Sequence, residues 1–515
     1  MSHLFKQINL TASERSAFGE PISTEIQPVF QLDGIYGIDD DNSWQINNSG
    51  TGHAQTGSDL TFEVHSGTGT GSFCTLRSKR SVRYRPGQGS MCRFTAMWPD
   101  GPVLGYQQVA GFVNQSDVLA LGYNYDGNFG IIRRFASNAE LWKIQITTAP
   151  TTTQVIVITL NGVQHSVSIN AKASLEATAA SIAKSINWTA AGWIVDYSGA
   201  NVFFLYNGPP VNLPGVFSFT SNGDATASTS TLTEGASPTD SWIYQDDFNY
   251  DKLDGTGPSG MTIDPSKLNV FQIDFRWLGA GILRFAIEDE TTGQMIVFHQ
   301  ISYCNKNITP SLSNPSMRVG YAVVNAVPAL GTGVDVHIKG ASVMGAIQGI
   351  IVHNTAAKSV KGSTASNLIA GSYHHLLTLK NKRIFGSTSA NARLNQRELL
   401  IEAASCGALV TAGQRPLEVL LYKNASFDNG SGVDVPLIFF DSDDTSAYST
   451  TTAVLKAGSA GALLATFSLS PSGPINIDLS RHRILLSPLD TLSIVLRSET
   501  AQITDSVSSI GYTVE

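Results

Sequence analysis

The sequence has 515 residues, of which only 14% are charged, and its formal net charge is −8. In ordinary soluble proteins about a quarter of the residues are charged, so the surface of this chain is rich in neutral hydroxyl and amide groups. The negative balance provides no overall attraction to nucleic acid or to anionic lipid, and we expect neither as a partner. At ~150 residues per domain, the length predicts three or four domains.

The four cysteines, Cys74, Cys92, Cys304 and Cys406, are far apart and form no CxxC pair. This spacing argues against a zinc site or a disulfide scaffold. We expect buried free thiols, because cysteine packs as a small hydrophobic residue; a Cys74–Cys92 disulfide is the alternative. The N-terminus lacks the basic and apolar segments of a signal peptide, and the longest apolar runs are strand-sized. A protein that is soluble when made, without membrane insertion, is therefore predicted.

Short apolar segments separated by Gly, Asn, Asp and Ser recur on both sides of the chain centre. They indicate a β-sandwich, jelly-roll-like, formed by residues 29–137 together with 240–344. Within the second part, the runs on either side of Gly279–Gly281 alternate with period two. A phosphate-binding loop would need a helix after the glycines, so this segment predicts a hairpin. A third strand from Met295 completes a meander.

Residues 138–239 have a different pattern, which predicts a small α+β domain inserted in a loop of the sandwich. Asn161-Gly162 joins two alternating runs and predicts a tight hairpin. Ser174 precedes apolar residues at helical spacing, so it predicts a helix N-cap. The Ser/Thr-rich segment 221–240 is interpreted as the linker that returns to the sandwich.

The two ends of the chain complete the organisation. Residues 345–515 contain about eight short apolar segments, which predict a second β-sandwich. The predicted fold class is therefore mainly β: a jelly-roll or β-sandwich domain with an inserted small α+β domain, followed by a second β-sandwich. Residues 1–28 are polar without a clear core, and we interpret them as an N-terminal arm that orders on docking.

The densest cluster of positive charge lies in one short stretch. It predicts a contact with a polyanion or with a neighbouring subunit, and the alternative is a strand with a solvated outer face. The residues are Arg77, Lys79, Arg80, Arg83 and Arg85.

Acidic residues suggest four further sites. Trp242 and Tyr244 precede Asp246 and Asp247, a combination that could contact a glycan. Two carboxylates are also what glycan cleavage requires, and a second acidic group lies at the turn after the hairpin, at Glu288, Asp289 and Glu290. Two Asp-rich loops could bind calcium, although each is typical of a solvated turn; they contain Asp39, Asp40, Asp41, Asp441, Asp443 and Asp444.

Motifs of nucleophilic and metal-dependent hydrolases do not occur in the sequence. GxSxG, HExxH and the Walker sequence are missing, and the adjacent His374 and His375 would point to opposite faces of a strand. We therefore expect no catalytic residues, no metal and no cofactor.

Three segments carry a resemblance to a known family. They are AFGEPISTEIQPVFQLDGIYGI, RSVRYRPGQGSMCRFTAMW and DKLDGTGPSGMTIDPSKLNVFQIDFRWLGAGILRFAIED. They resemble structural proteins of tailed-bacteriophage virions, fibre-like or decoration-like components, over Ala17 to about Met344 without the insert. The insert is similar to small α+β modules of phage tail and fibre proteins. The resemblance is specific to a virion but not to head, neck, tail or baseplate.

The resemblance implies a non-enzymatic virion protein, made in the bacterial host cytoplasm, that acts through assembly contacts. Its expected partners are further copies of itself, as a homo-oligomer that could be a trimer, and other virion proteins. One alternative is a module that binds a host surface glycan at attachment. A polysaccharide depolymerase that uses the carboxylates above is the second alternative.

Overall fold

A computed structural model describes residues 25–514 apart from 40–43, 50, 70, 115, 136–137, 173, 209, 326–332, 350–357, 369, 386–392, 396, 411–416, 430–436, 438–444, 449–452, 457, 459–460, 470–473, 483 and 500–501. The described residues are dominated by antiparallel β-strands, and one α-helix, Leu175–Lys184, lies among them. The mainly β fold class predicted from the sequence is confirmed.

The elements follow one another in four groups along the chain. The first group is β1 (Ile26–Asp33), β2 (Trp44–Ser49), β3 (His53–Thr56), β4 (Phe62–His65), β5 (Phe73–Ser78), β6 (Gly89–Ala96), β7 (Tyr106–Val113), β8 (Val118–Tyr123) and β9 (Phe129–Phe135). The second is β10 (Leu141–Thr148), β11 (Gln154–Leu160), β12 (Val163–Ile169), α1 (Leu175–Lys184), β13 (Trp193–Ser198), β14 (Asn201–Tyr206), β15 (Ser218–Ser221) and β16 (Thr226–Thr233).

The third group is β17 (Thr239–Tyr244), β18 (Asn269–Phe275), β19 (Leu283–Glu288), β20 (Met295–Ile301), β21 (Val319–Asn325), β22 (His337–Gly340) and β23 (Ser342–Gln348). The fourth is β24 (Lys358–Leu368), β25 (Tyr373–Asn381), β26 (Ile384–Phe385), β27 (Arg393–Leu394), β28 (Leu399–Val410), β29 (Leu417–Lys423), β30 (Phe427–Asp428), β31 (Thr445–Tyr448), β32 (Val454–Leu455), β33 (Ala462–Leu469), β34 (Pro474–Asp478), β35 (Leu485–Leu486), β36 (Thr491–Arg497) and β37 (Gln502–Val514). Short 3-10 turns span Gln245–Asp247 and Ser480–His482.

Groups one and three build one sandwich, called here the platform. Its two large sheets have the orders β1-β23-β6-β18-β19-β20 and β17-β9-β8-β7-β21-β5-β2, and a smaller sheet has the order β22-β4-β3. Alternate residues of the large sheets meet in one core that is rich in aromatic rings. Phe112 of β7 meets Phe275 of β18 edge to face, with ring centroids 5.4 Å apart, a preferred geometry for aromatic pairs. This packing of two sheets face to face defines a β-sandwich.

The predicted meander is confirmed. Ile273 of β18 pairs with Phe285 of β19, and Phe285 pairs with His299 of β20. At the first turn a Cβ atom on Gly281 would collide with the carbonyl oxygen of Arg276. Only glycine fits at position 281, which explains the second glycine of the Gly-Ala-Gly sequence.

Group two forms a module, called here the insert. Its sheets have the orders β13-β14-β10-β16 and β12-β11-β15, and α1 packs on the first of them. The predicted hairpin is confirmed, with positive φ at Asn161 (50°) and Gly162 (81°). The predicted cap is confirmed as well: the Ser174 hydroxyl oxygen accepts a hydrogen bond from the Ala177 N–H at 3.1 Å.

The Ser/Thr-rich segment 221–240 is not a linker, so that interpretation was wrong. Residues Thr226–Thr233 form β16, which pairs antiparallel with β10 along most of its length. The segment lacks apolar alternation because most of its side chains are exposed or half-buried, and backbone hydrogen bonds to β10 hold it in place. Thr239 and the residues that follow it already belong to β17, which pairs with β9 of the platform.

Group four forms the C-terminal sandwich. Its main sheets have the orders β24-β37-β28-β34 and β30-β32-β25-β36-β29-β33. Their facing side chains, such as Ile401 and Tyr512 on one sheet and Leu379 and Ile494 on the other, share a buried core.

The predicted N-terminal arm, 1–28, lies mostly outside the described residues. Its end does not: Ile26 pairs with Gln348 at the start of β1, so the strand begins before the boundary predicted at residue 29. Clear burial starts only at Phe30. The half-exposed residues before it carry no apolar pattern, which is why the sequence did not indicate the start of β1.

Candidate functional site

The basic stretch lies where the platform meets the C-terminal sandwich. Arg77, in β5, is only 9% exposed. The Arg80 guanidinium lies 3.7 Å from the Glu398 carboxylate of the C-terminal sandwich. Val82 makes an isolated bridge with Met317, so the continuous strand weighed for this stretch does not form. The side chains of Lys79, Arg80, Arg83 and Arg85 are half-buried.

Three buried arginines from two parts of the chain lie close to one another. Burial, with the positive charges of Arg318 and Arg383, lowers the pKa of Arg77 well below its ordinary value. Burial and Arg318 lower the pKa of Arg383 to about 10, against the attraction of Asp196. Because arginine stays protonated in proteins, these shifts mark a buried region where further positive charge is unfavourable and negative charge is stabilised.

Asp196 joins the insert to the C-terminal sandwich. Its carboxylate forms an ion pair with Lys380 of β25 and accepts a hydrogen bond from the Arg383 backbone N–H at 2.8 Å. The Lys380 ammonium also lies 4.7 Å from the centre of the Tyr197 ring, and the Tyr197 hydroxyl donates to the Leu437 carbonyl oxygen at 3.1 Å. The insert core continues into the C-terminal sandwich through Leu420, Tyr422, Phe427 and Val495. The insert and the C-terminal sandwich are thus joined by buried contacts.

A cavity of ≈ 70 Å³ lies between the outer face of the platform sheet and the insert. Alternation along β5, β7 and β21 places one set of side chains in the platform core and the other set toward this cavity. Asn207, Gly208 and Pro210, which follow β14 of the insert, line its other side. The platform contributes Phe73, Thr75, Arg77, Gln107, Val109, Val113, Asn114, Val118, Arg134, Ala322 and Val324.

Two side-chain donors of this cavity have no hydrogen-bond partner. They are the amide nitrogens Nε2 of Gln107 and Nδ2 of Asn207, on residues that are 3% and 6% exposed. Two other polar residues of the lining have partners: Arg134 holds Asp240 through two hydrogen bonds of 2.7 Å, and the Asn114 amide donates to the Ser316 carbonyl oxygen at 3.0 Å. Both unpaired groups can donate to a ligand.

Three histidine rings stack across the small sheet of the platform. His53, His65 and His337 occupy the same register on β3, β4 and β22. The ring centroids are 4.6 Å apart for His53 and His65, and 4.9 Å apart for His65 and His337. Carboxylates border the stack: Asp335 lies 2.9 Å from His65 Nδ1, and Asp100 lies 2.7 Å from His337 Nδ1. Two rings of the stack are thus each held by a carboxylate.

The aromatic and acidic residues proposed for glycan contact lie together on β17 and the turn after it. Trp242 and Tyr244 lie on one face of the strand. Trp242 is half-buried against the outer-face cluster of the platform, and the Tyr244 hydroxyl accepts from the Asn124 amide at 3.1 Å. Asp246 and Asp247 follow in the exposed 3-10 turn Gln245–Asp247. The structure thus leaves the two carboxylates accessible and engages both aromatic side chains.

The second acidic group lies at the exposed β19–β20 turn, as the sequence predicts. Asp289 accepts hydrogen bonds from the Thr291 N–H at 2.8 Å and from the Thr292 hydroxyl at 2.9 Å. Its neighbours Glu288 and Glu290 are exposed. Asp289 therefore serves to close the turn.

The proposed calcium loops fall largely outside the described residues. Asp40, Asp41, Asp441, Asp443 and Asp444 lie there, and Asp39 is exposed. Among the residues that the structure does describe, no group of three or more His, Cys, Asp or Glu is arranged to hold a metal ion. None of the helices in the described ranges is both long and apolar enough to cross a bilayer.

The cysteines are all free, and three of them, Cys74, Cys92 and Cys406, are buried as predicted. Cys304 is exposed, which corrects the expectation for that residue. It lies in the turn-rich segment after β20, where no strand carries it into a core. The alternative of a Cys74–Cys92 disulfide is not realised. His374 and His375 of β25 are both buried.

Comparison with known proteins gives no family. No protein-family profile and no curated protein matches the sequence. Among solved structures, similar chains include arcelin-5, a lectin-like defence protein from Phaseolus vulgaris, at 9% identity, covering 62% of this chain and 99% of that one, with a TM-score of 0.21. The match to a chain of Sulfolobus turreted icosahedral virus covers 79% of this chain and 90% of that one, at 13% identity and with a TM-score of 0.15. The match to a chain of the VP2 subviral particle of infectious bursal disease virus covers 92% of this chain and 81% of that one, at 9% identity and with a TM-score of 0.12. These neighbours are lectin-like and viral proteins, and scores this low carry no argument about the present chain.

Proposed function

We propose that this protein is a non-enzymatic structural component of a tailed-phage virion, where it acts through assembly contacts with further copies of itself and with neighbouring virion proteins. The resemblance of the platform sequences to virion proteins of this class supports the virion part of the proposal. The structure contributes support of a different kind, because it provides a strand edge suited to assembly.

That edge belongs to β33, Ala462–Leu469, the last strand of its sheet. One side of β33 pairs with β29, and no strand in the described part of the chain pairs with the other side. The sequence of the strand, ALLATFSL, contains no charge and no proline, and Leu463 and Leu464 are 51% and 38% exposed. An unprotected edge of this kind is a template for pairing with another chain.

The junction of the three parts supports a mechanical role as well. Separating a buried ion pair leaves unpaired buried charges, which is costly, so the contact of Asp196 with Lys380 resists rearrangement. Each copy would therefore act as a rigid block, and many modest contacts would add up in a symmetric assembly.

The test is quantitative mass spectrometry of purified virus particles from the source of the sequence, scaled to the major capsid protein. We expect the chain in every particle at a fixed copy number. A small multiple of three or six would indicate a fibre, neck or tail component, and hundreds of copies would indicate a shell decoration. Absence of the chain from washed particles would overturn the proposal.

A further inference from the structure

The cavity between the platform and the insert combines two features that single it out. It is lined on both sides by buried residues, and two of its amide nitrogens, on Gln107 and Asn207, have no partner. Buried polar groups in native proteins are almost always hydrogen-bonded, because an unpaired one destabilises the fold. Two unpaired donors on residues that line one cavity from two different parts of the chain indicate a ligand with acceptor atoms.

The charge around the cavity favours an anionic ligand. Arg77 and Arg134 line it, and no Asp or Glu is among its described lining residues. Arg134 is already neutralised by Asp240. Arg77 lies in the field of two further arginines, Arg318 and Arg383. Hydrogen bonds between amide donors and a charged acceptor are stronger than bonds to a neutral one.

The walls favour a ligand with a hydrocarbon part. Most of the lining side chains are apolar, and they include Val109, Val113, Val118 and Val324 of the platform and Pro210 of the insert. Water would satisfy the amides but would gain little from the valines, and cavities with apolar walls and a few convergent polar groups are typical of small-molecule sites. The volume of ≈ 70 Å³ accommodates about five to seven water-sized positions, which suits a ligand of about six heavy atoms.

We propose that this cavity binds a small organic anion, a short-chain carboxylate whose oxygens accept hydrogen bonds from Gln107 and Asn207 and whose hydrocarbon chain contacts the valines. Such a ligand touches the platform and the insert at once, so it stabilises their docking by mass action. The site is independent of the proposed virion role, since it requires only the contact between these two parts of one chain.

The experiment uses the full chain and three four-carbon probes at equal ionic strength: butanoate, butan-1-ol and butylammonium. Binding is measured by isothermal titration calorimetry, and the position by nuclear Overhauser effects from the probe methyl group to valine methyl groups. Butanoate is expected to bind at least tenfold more tightly than the other two probes, because hydrogen bonds to a charged acceptor are worth roughly that factor or more. Equal affinity for the three probes would show that the cavity does not select an anion, and no binding of butanoate would show that it takes no carboxylate of this size; either result would overturn the proposal.

Two variants test whether the ligand binds in this cavity. Gln107→Met removes one donor at nearly constant side-chain length, and Ala322→Leu fills the cavity from the platform side. Each should lower the affinity for butanoate roughly tenfold or more, while the control Gln300→Met, on the edge strand β20, should leave it unchanged. Near-ultraviolet circular dichroism establishes that each variant is folded, and if one fails to fold, the other decides. Butanoate affinity that survives either folded variant overturns the assignment.

Discussion

Lys380 of the C-terminal sandwich and Asp196 of the insert form an ion pair whose side chains are only 8% and 5% exposed. The pair joins residues 184 positions apart in the chain. If one partner were removed, the other charge would stay buried, without hydration and without a compensating partner. Breaking the pair is therefore expected to lower the stability of the fold.

Removal of either partner should therefore destabilise the protein strongly. We expect Asp196→Ala and Lys380→Met each to lower the free energy of unfolding by about 3–5 kcal/mol, measured by urea unfolding followed by fluorescence of the buried Trp188 and Trp193. The double variant should be less destabilised than the sum of the two, since it leaves no unpaired charge. The partly exposed pair of Arg497 and Glu418 is the control, and Glu418→Gln should cost less than about 1 kcal/mol. Additive losses at Asp196 and Lys380 would contradict the coupling.

The exposed edge of β33 should control self-association. Thr466→Lys places a charge on the exposed side of this strand, and charged residues protect natural sheet edges from pairing. We expect weaker self-association in sedimentation velocity over a range of protein concentrations, with the fold unchanged. Gln145→Lys adds the same charge to an exposed position of β10, which is paired on both sides. It should therefore have no effect. Unchanged association of Thr466→Lys would show that this edge is not used.

The local features of the fold could be predicted, because neighbouring residues encode them. Asn161-Gly162 and Gly279–Gly281 specify turns, and Ser174 specifies a helix start. Strand β16 was missed because its hydroxyl-rich residues Thr226–Thr233 bury little apolar surface. Its place depends on backbone pairing with β10, which no local pattern reveals.

The candidate sites could not be predicted for a related reason. Gln107 is an ordinary polar residue of a strand until the insert covers it, and Asn207 lies in a turn of that insert. The basic stretch was visible as a charge cluster, but its contact with Glu398 depends on how the C-terminal sandwich docks. Alternation assigns a residue to one face of its own strand; it does not indicate what packs on that face.

The thiols should differ sharply in reactivity. Burial raises the pKa of Cys74 and of Cys406 to about 12 and that of Cys92 well above its ordinary value, whereas Cys304 is exposed. Because the thiolate is the reactive form, Ellman's reagent should titrate one of the four thiols in the native protein and all four in guanidinium chloride. Cys304→Ser should abolish the native reaction. Rapid labelling of a second thiol would contradict the burial of the other three.

The histidine stack contains a titrating pair, His337 and Asp100. The hydrogen bond that the His337 ring donates to Asp100, together with the charge of Asp100, raises the pKa of His337 above its ordinary value of 6.5, while burial and Lys339 act against the rise. Burial acts to raise the pKa of Asp100, but its hydrogen bonds and charge interaction with His337 outweigh burial, so that pKa is lowered. A histidine whose pKa is higher in the folded than in the unfolded protein stabilises the fold fully below the unfolded value. The stabilisation is lost as the pH rises through the folded value.

The stability difference between the parent protein and His337→Gln should therefore be largest near pH 6, where Asp100 is ionised, and should shrink as the pH rises toward 8.5. Thermal unfolding at several pH values measures it. His165 of β12 is a matched control, because burial lowers its pKa; the parent protein should lose stability relative to His165→Gln as the pH falls, the opposite trend. A difference for His337→Gln that stays constant or grows with pH would show that the Asp100 contact does not hold the proton on His337.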